Sequence, residues 1–239
     1  MKQFIFLLGT ILIFSSFAPW ETITGNGVIK KETRSASGYT GISSHGSMNV
    51  QVAYGNSNNI TVEADENLLP YIETAVENDK LVIRTRKGVN LKSKSKIMVY
   101  VSLTRLTSVN LSGSGNINGD GAFSNTGKTD MSVSGSGNMK LGFDALNELT
   151  VSVSGSGNVD LKGKNCNNIT ATVSGSGNID CSDVKCNDVF AKVSGSGNVR
   201  VYANKSIDAK VSGSGNVFYK GSATNINSRS SGSGKVIKA

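Results

Sequence analysis

Apolar and polar residues alternate without a break along residues 169–181. Ile169, Ala171, Val173, Gly175, Gly177, Ile179 and Cys181 fall on one side, and Thr170, Thr172, Ser174, Ser176, Asn178 and Asp180 on the other. A period of two belongs to a β-strand with one buried face. The same alternation runs through Leu149, Val151, Val153, Val159 and Leu161 on one side and Val189, Ala191, Val193, Val199 and Val201 on the other. The apolar positions of neighbouring segments therefore fall into common columns.

The columns are set by a repeat. Ser-Gly-Ser-Gly-Asn occurs at 112–116, 134–138, 154–158, 174–178, 194–198 and 212–216, and returns as Ser-Gly-Ser-Gly-Lys at 231–235, with starts 22, 20, 20, 20, 18 and 19 residues apart. Strands recurring at this period predict a solenoid of stacked turns, in which each turn buries its apolar face only because the next one covers it. The fold class expected is all-β: a right-handed parallel β-helix, or β-solenoid, with turns of roughly 20 residues and irregular N-terminal turns. The two glycines of each motif stand where inward side chains would be, which predicts a corner or a close backbone approach.

At a parallel-strand spacing of about 4.8 Å, each motif residue sits over its counterpart in the next turn. The candidate binding residues are therefore ladders of like side chains: Ser134, Ser154, Ser174 and Ser194, then Ser136, Ser156, Ser176 and Ser196, then Asn138, Asn158, Asn178 and Asn198. Stacked asparagines can also hydrogen-bond along the ladder. The plainer reading is that all three rows only stabilise turns.

Residues 1–18 begin with Lys2, run through Phe4–Leu8 and Ile11–Phe14, and end at Ser16-Phe17-Ala18, the form of a secretory leader cleaved near Ala18. No later segment is long and apolar enough to span a bilayer, and no Cys near the cleavage site offers a lipid attachment point. The chain divides into this leader, a strand-rich part at 19–111 with capping turns, and the regular solenoid at 112–239. In the middle part, strands are expected at 48–52, 59–63, 80–85 and 96–101. Asn78-Asp79 reads as a hairpin turn, Glu66–Pro70 as one helical turn, and His45–Asn49 as a worn copy of the motif.

Removing the leader leaves 24 basic against 17 acidic residues. Lys80, Arg84, Arg86, Lys87, Lys92, Lys94 and Lys96 crowd one stretch, a candidate basic patch for a polyanion or else a solvated hairpin edge. Nucleic acid is not expected for an exported chain without an aromatic and basic binding motif. Cys166 and Cys186 share one column and Cys181 another, so buried thiols are the simplest reading. A Cys166–Cys186 bridge is also within reach, because stacked residues fall in the Cα range of a disulfide. One His and no Cys-x-x-Cys pair give no metal site, and no cofactor is expected.

One column reads Lys140, Asp160, Asp180, Arg200, a charge ladder with opposite signs one rung apart at both ends. Asp160 over Asp180 also supports the rival reading, a polysaccharide lyase or hydrolase using stacked carboxylates. Lys140 and Arg200 flank them, and no long loop between repeats walls off a cleft.

The leader, the segment Asn67-Leu68-Leu69-Pro70 through Glu77-Asn78-Asp79-Lys80-Leu81-Val82-Ile83, and Leu106 through Val109-Asn110-Leu111-Ser112-Gly113-Ser114-Gly115 leading into serial motifs together resemble a known bacterial family. It is the family described as putative auto-transporter adhesin, head GIN domain, and the resemblance covers about Gly38 to the end. It implies a β-helical fold, an exported protein of Bacteroidetes-type bacteria, and no catalytic residues to carry over. The function expected is that of a non-enzymatic, adhesin-like surface protein whose partner is a glycan or cell-surface polymer, with assembly into homo-oligomers left open. Its location would be periplasmic, cell-surface or extracellular.

Overall fold

A computed structural model describes residues 21–56 and 59–239, with the backbone alone at 120–122. The leader expected at 1–18 lies outside the described residues. The chain winds into a β-solenoid of about six turns at a spacing near 20 residues.

Two parallel sheets run along the stack. In the first, Gly41–Gly46, Ser108–Gly113, Lys128–Gly135 and Glu148–Gly155 are successive rungs. The second halves of the long strands Asn158–Gly175, Asn178–Gly195 and Asn198–Gly213 continue them, and Asn225–Ser231 ends the row. In the second sheet, Met98–Leu103, Asn49–Tyr54, Asn116–Ser124 and Asn138–Ala145 precede the first halves of the same long strands. Asn216–Lys220 and Val236–Lys238 complete it. The two sheets meet at the Ser-Gly-Ser-Gly-Asn corner.

Register is held by that corner. The carbonyl oxygen of Gly155 accepts the N–H of Ser176 at 2.9 Å and of Gly177 at 3.0 Å, and Gly135 and Gly175 do the same for the turns on either side. Gly175 has φ +121°, a conformation that L side chains rarely adopt, and a Cβ there would lie 2.5 Å from Gly155 O. A Cβ on Gly177 would collide with the carbonyl oxygen of Gly157 and with Val153 Cγ1. Consecutive backbones touch here, so only glycine fits.

Between the sheets the inward columns form one core. Val133, Val153, Val173, Val193 and Val211 stack in one column, and Met131, Val151, Ala171, Ala191 and Ala209 in the next, all buried. Burying each valine contributes on the order of 1.5–3 kcal/mol. Phe123 fills the early core, with Tyr54 and Phe143 each 5.8 Å from it, centroid to centroid. Cys166, Cys181 and Cys186 are buried in these columns. Cys166 and Cys186 are rung partners, yet both thiols are free, and Cys166 Sγ donates to the Asn168 and Asn147 carbonyls at 3.2 and 3.4 Å. Burial pushes the Cys181 thiol well up.

The N-terminal part is irregular, as expected there, and its pairing is partly antiparallel. Ile72–Glu77 and Lys80–Thr85 form an antiparallel hairpin, and Asn59–Asp65 pairs antiparallel with both Ile29–Ser35 and Met98–Leu103. The hairpin follows from chain length, because a two-residue link returns the strand beside itself and cannot make a parallel crossover. Asn78 and Asp79 take φ of 50° and 59°, the left-handed pair that such a turn requires. The helical turn is a 3-10 segment, Glu66–Tyr71, and Glu21–Thr24 pairs parallel with Val89–Lys92.

Asp65 ties this cap together. Its buried carboxylate accepts the Ser93 hydroxyl at 2.5 Å and the N–H groups of Gly27 at 2.6 Å and Lys94 at 3.1 Å. The Ser93 bond, with help from the backbone amides and against the effect of burial, holds its pKa below the usual aspartate range. A depressed folded-state pKa gives stability that is complete above the unfolded aspartate value, about 3.9, and is lost as pH falls through the lower folded one. Thermal melts at falling pH should show an acid-side loss that flattens in Asp65→Asn, with Asp65→Asn already less stable at neutral pH. An unchanged acid slope in that variant would contradict the assignment.

The corner and the core generate a second expectation. Urea unfolding should show Val173→Asp destabilised by about 3 kcal/mol or more, as an unpaired charge enters a closed column. Gly177→Ala should cost about 2 kcal/mol or more, because the backbone of Gly157 must move. Thr172→Asp, on the outward face, should cost about 1 kcal/mol or less.

Candidate functional site

The corner places the motif side chains in straight outward rows. Ser134, Ser154, Ser174 and Ser194 are rung partners, with Ser112 and His45 before them and Ser212 and Ser231 after. All four are exposed, as are Ser136, Ser156, Ser176 and Ser196 at the bend. Among the described residues none of these eight hydroxyls makes a side-chain hydrogen bond, so each presents a donor and two lone pairs to solvent.

The asparagines behave differently. Asn116 Nδ2 donates to Asn49 Oδ1 at 2.8 Å, Asn138 to Asn116 at 3.0 Å, Asn158 to Asn138 at 2.8 Å and Asn178 to Asn158 at 2.9 Å. Asn198 follows at 3.0 Å and Asn216 at 3.3 Å, and the Lys235 N–H closes the row on Asn216 Oδ1 at 3.1 Å. An amide carries a donor and an acceptor, so it can take one bond and pass one on. The lysine of the seventh motif has no acceptor, and the ladder stops there.

A second amide ladder went unread in the sequence. Asn167 donates to Asn147 at 2.5 Å and Asn187 to Asn167 at 3.3 Å. The signal was present, since 147, 167 and 187 are one 20-residue period apart. It lies outside the conspicuous motif.

The basic segment is not one patch. Arg84 is held by Glu73 and Glu77 at 3.0 Å each, and Arg86 donates to the Pro70 carbonyl at 2.7 Å and sits 5.2 Å over the Tyr71 ring. Lys80 is half-buried in the hairpin, while Lys87, Lys92, Lys94 and Lys96 are exposed and make no ion pair among the described residues. Lys87 and Arg84 also border an open cavity of about 810 Å³ floored by Met48, Leu91 and Ile97.

The charge column keeps its register but only part of its pairing. Lys140 lies 4.0 Å from Asp160, and Asp160 stacks on Asp180. Asp180 Oδ1 accepts the Ser182 hydroxyl at 2.7 Å and its N–H at 3.0 Å, whereas Arg200 lies over the Phe218 ring at 5.2 Å. The ion pair expected between Asp180 and Arg200 is absent, because each has a neighbour that serves it better. Among the described residues no group of three His, Cys, Asp or Glu side chains is placed to hold a metal ion.

This geometry separates a self-bonded amide row from a free hydroxyl row. Asn158→Ala removes two ladder bonds and should cost about 1–3 kcal/mol in urea unfolding, at about 0.5–1.5 kcal/mol per bond. Ser154→Ala should change stability by less than about 0.5 kcal/mol. Equal costs for the two substitutions would contradict the separation.

Residues 38–223 match the model of the family described as "Putative auto-transporter adhesin, head GIN domain". The fold is similar to that of a crystal structure called a putative adhesin from Bacteroides fragilis NCTC 9343, with a TM-score of 0.80, 22% identity, and coverage of 91% of this chain and 100% of that one. A crystal structure called a putative lipid binding protein from Parabacteroides distasonis ATCC 8503 gives 0.74, 24%, 92% and 100%. One called a putative adhesin from Parabacteroides merdae ATCC 43184 gives 0.67, 22%, 92% and 99%. Among curated proteins nothing matches the chain. No helix among the described residues is long and apolar enough to cross a membrane.

Proposed function

The chain belongs to the auto-transporter adhesin head GIN domain family, and on that premise we propose that it is an exported, non-enzymatic, adhesin-like protein that contacts glycans or other cell-surface polymer through its outward serine rows. The observation that carries this reading is the row of exposed hydroxyls without internal partners, one per rung. Beside it, Asn138, Asn158, Asn178 and Asn198 bond to one another and set the flank of the surface. A partner with its own repeat meets the same donor and acceptor at intervals of about 4.8 Å. Each contact is weak, and affinity comes from their number. The four unpaired lysines at 87, 92, 94 and 96 are a secondary contact.

Asp160 and Asp180 are assigned to the fold rather than to catalysis. Asp180 is engaged by Ser182, Asp160 faces Lys140, and both stand on an outward column.

Binding of the mature protein to immobilised glycans and to bacterial surfaces tests the proposal. Replacing Ser154, Ser174 and Ser194 together by alanine should weaken binding about tenfold or more while the protein stays folded. The Lys92, Lys94 and Lys96 to Glu variant should have a smaller effect. Binding that is unchanged by loss of the serines would overturn the serine rows as the contact.

A further inference from the structure

From Lys192 to Ala239 the sequence holds eight Lys and Arg residues against a single acid, Asp208. The C-terminal end of the solenoid thus carries as large an excess of positive charge as the segment 80–96, where Arg84 is paired with Glu73 and Glu77. Register then sorts these cations. Asn110, Ser132, Ser152 and Thr172 occupy one outward column of the first sheet, and the next three rungs of that column are Lys192, Lys210 and Arg229. A neutral column turns cationic and stays so to the last rung.

Like charges directly opposite one another on neighbouring strands repel, and natural sheets usually alternate their signs. Here the relief is small. Lys210 lies 3.6 Å from Asp208 and 5.0 Å over the Phe190 ring, while Lys192 and Arg229 have no ion-pair partner among the described residues. The adjoining column is serine throughout, so no acid stands on that side. The three cations and the free hydroxyls of Ser212 and Ser231 surround a shallow open groove of about 250 Å³.

We propose that this groove and its three stacked cations bind an acidic polysaccharide. A row of cations at rung intervals of about 4.8 Å matches a linear chain that carries an anionic group at comparable intervals. The serine hydroxyls beside it supply hydrogen bonds to the sugar. A polysaccharide fits better than an anionic membrane, because the groove is edged by serine hydroxyls and offers no exposed aromatic or aliphatic side chain for insertion. The site is distinct from the upstream serine rows and does not depend on their having a partner.

Binding of the full mature chain to polygalacturonate, dextran sulfate, neutral dextran and vesicles containing phosphatidylglycerol is the test. The native protein should bind the two acidic polymers and not dextran, and binding should weaken steeply as salt rises. The Lys192→Gln/Arg229→Gln double variant, confirmed as folded by circular dichroism, should lose affinity about tenfold or more. A Lys87/Lys92/Lys94/Lys96 to Gln variant, which removes the secondary contact, should lose clearly less affinity for the two acidic polymers than the double variant, and so should Ser134→Ala/Ser154→Ala, which probes the upstream rows. Affinity unchanged in the double variant, equal loss in the 87–96 variant, or binding to the vesicles without binding to the polymers would each overturn the proposal.

Discussion

At every corner the backbone of one turn rests on the backbone of the turn before. The carbonyl oxygen of Gly155 takes two N–H groups from Ser176 and Gly177, and this leaves no space for a side chain at either glycine. The contact fixes the register of the whole stack, because a strand that starts from a pinned corner has no freedom to slip. Once register is fixed, residues one period apart must lie over one another, inside and out. The core is therefore built of repeated Val, Ala and Ile columns, and the surface of repeated polar ones.

Stacking like on like has different consequences for different side chains. An amide gains, because it accepts from one neighbour and donates to the other, and the row runs unbroken in this way from Asn49 to Asn216. A hydroxyl has little to gain along a row, and the motif serines are left to solvent. A charge loses. In the column Lys140, Asp160, Asp180, Arg200 the loss is limited by opposite signs and by Ser182 and Phe218. In Lys192, Lys210 and Arg229 only Lys210 has such relief, from Asp208 and Phe190, and that column carries the anion site proposed above.

The alternation around Val173 and the 20-residue spacing of the motif made the stack and its columns readable before any coordinates. Asn78-Asp79 marked the hairpin and Glu66–Pro70 the single helical turn, because local turn chemistry sits in local sequence. Pairings set by distant segments were not readable. Nothing near Asn59–Asp65 says that it lies antiparallel to both Ile29–Ser35 and Met98–Leu103, nor that Asp65 collects Gly27, Ser93 and Lys94. The hairpin register that gives Arg84 to Glu73 and Glu77 was equally hidden, so the segment 80–96 looked more cationic than it is. Lys192, Lys210 and Arg229 escaped notice for another reason: they are 18 and 19 residues apart, and their shared column emerges only once the shortened turns are stacked.

If register is the governing constraint, whole turns are interchangeable and fractions of a turn are not. Excising residues 159–178 joins Asn158 to Ile179 and sets Asp180 over Lys140 and Gly195 over Gly155, as their rung partners were before. Excising one residue fewer, 160–178, sets Ile179 on the outward face where Asp180 would stand and turns the side chains from there to the next bend to the opposite face. Circular dichroism and urea unfolding of the two deletions compare these cases directly. A cooperative β-rich protein is expected for the 20-residue deletion and a markedly less stable one for the 19-residue deletion, whose apolar side chains face outward between Asn158 and the next bend. Equal behaviour of the two, whether both fold or both fail, would contradict a solenoid held in register at its glycine corners.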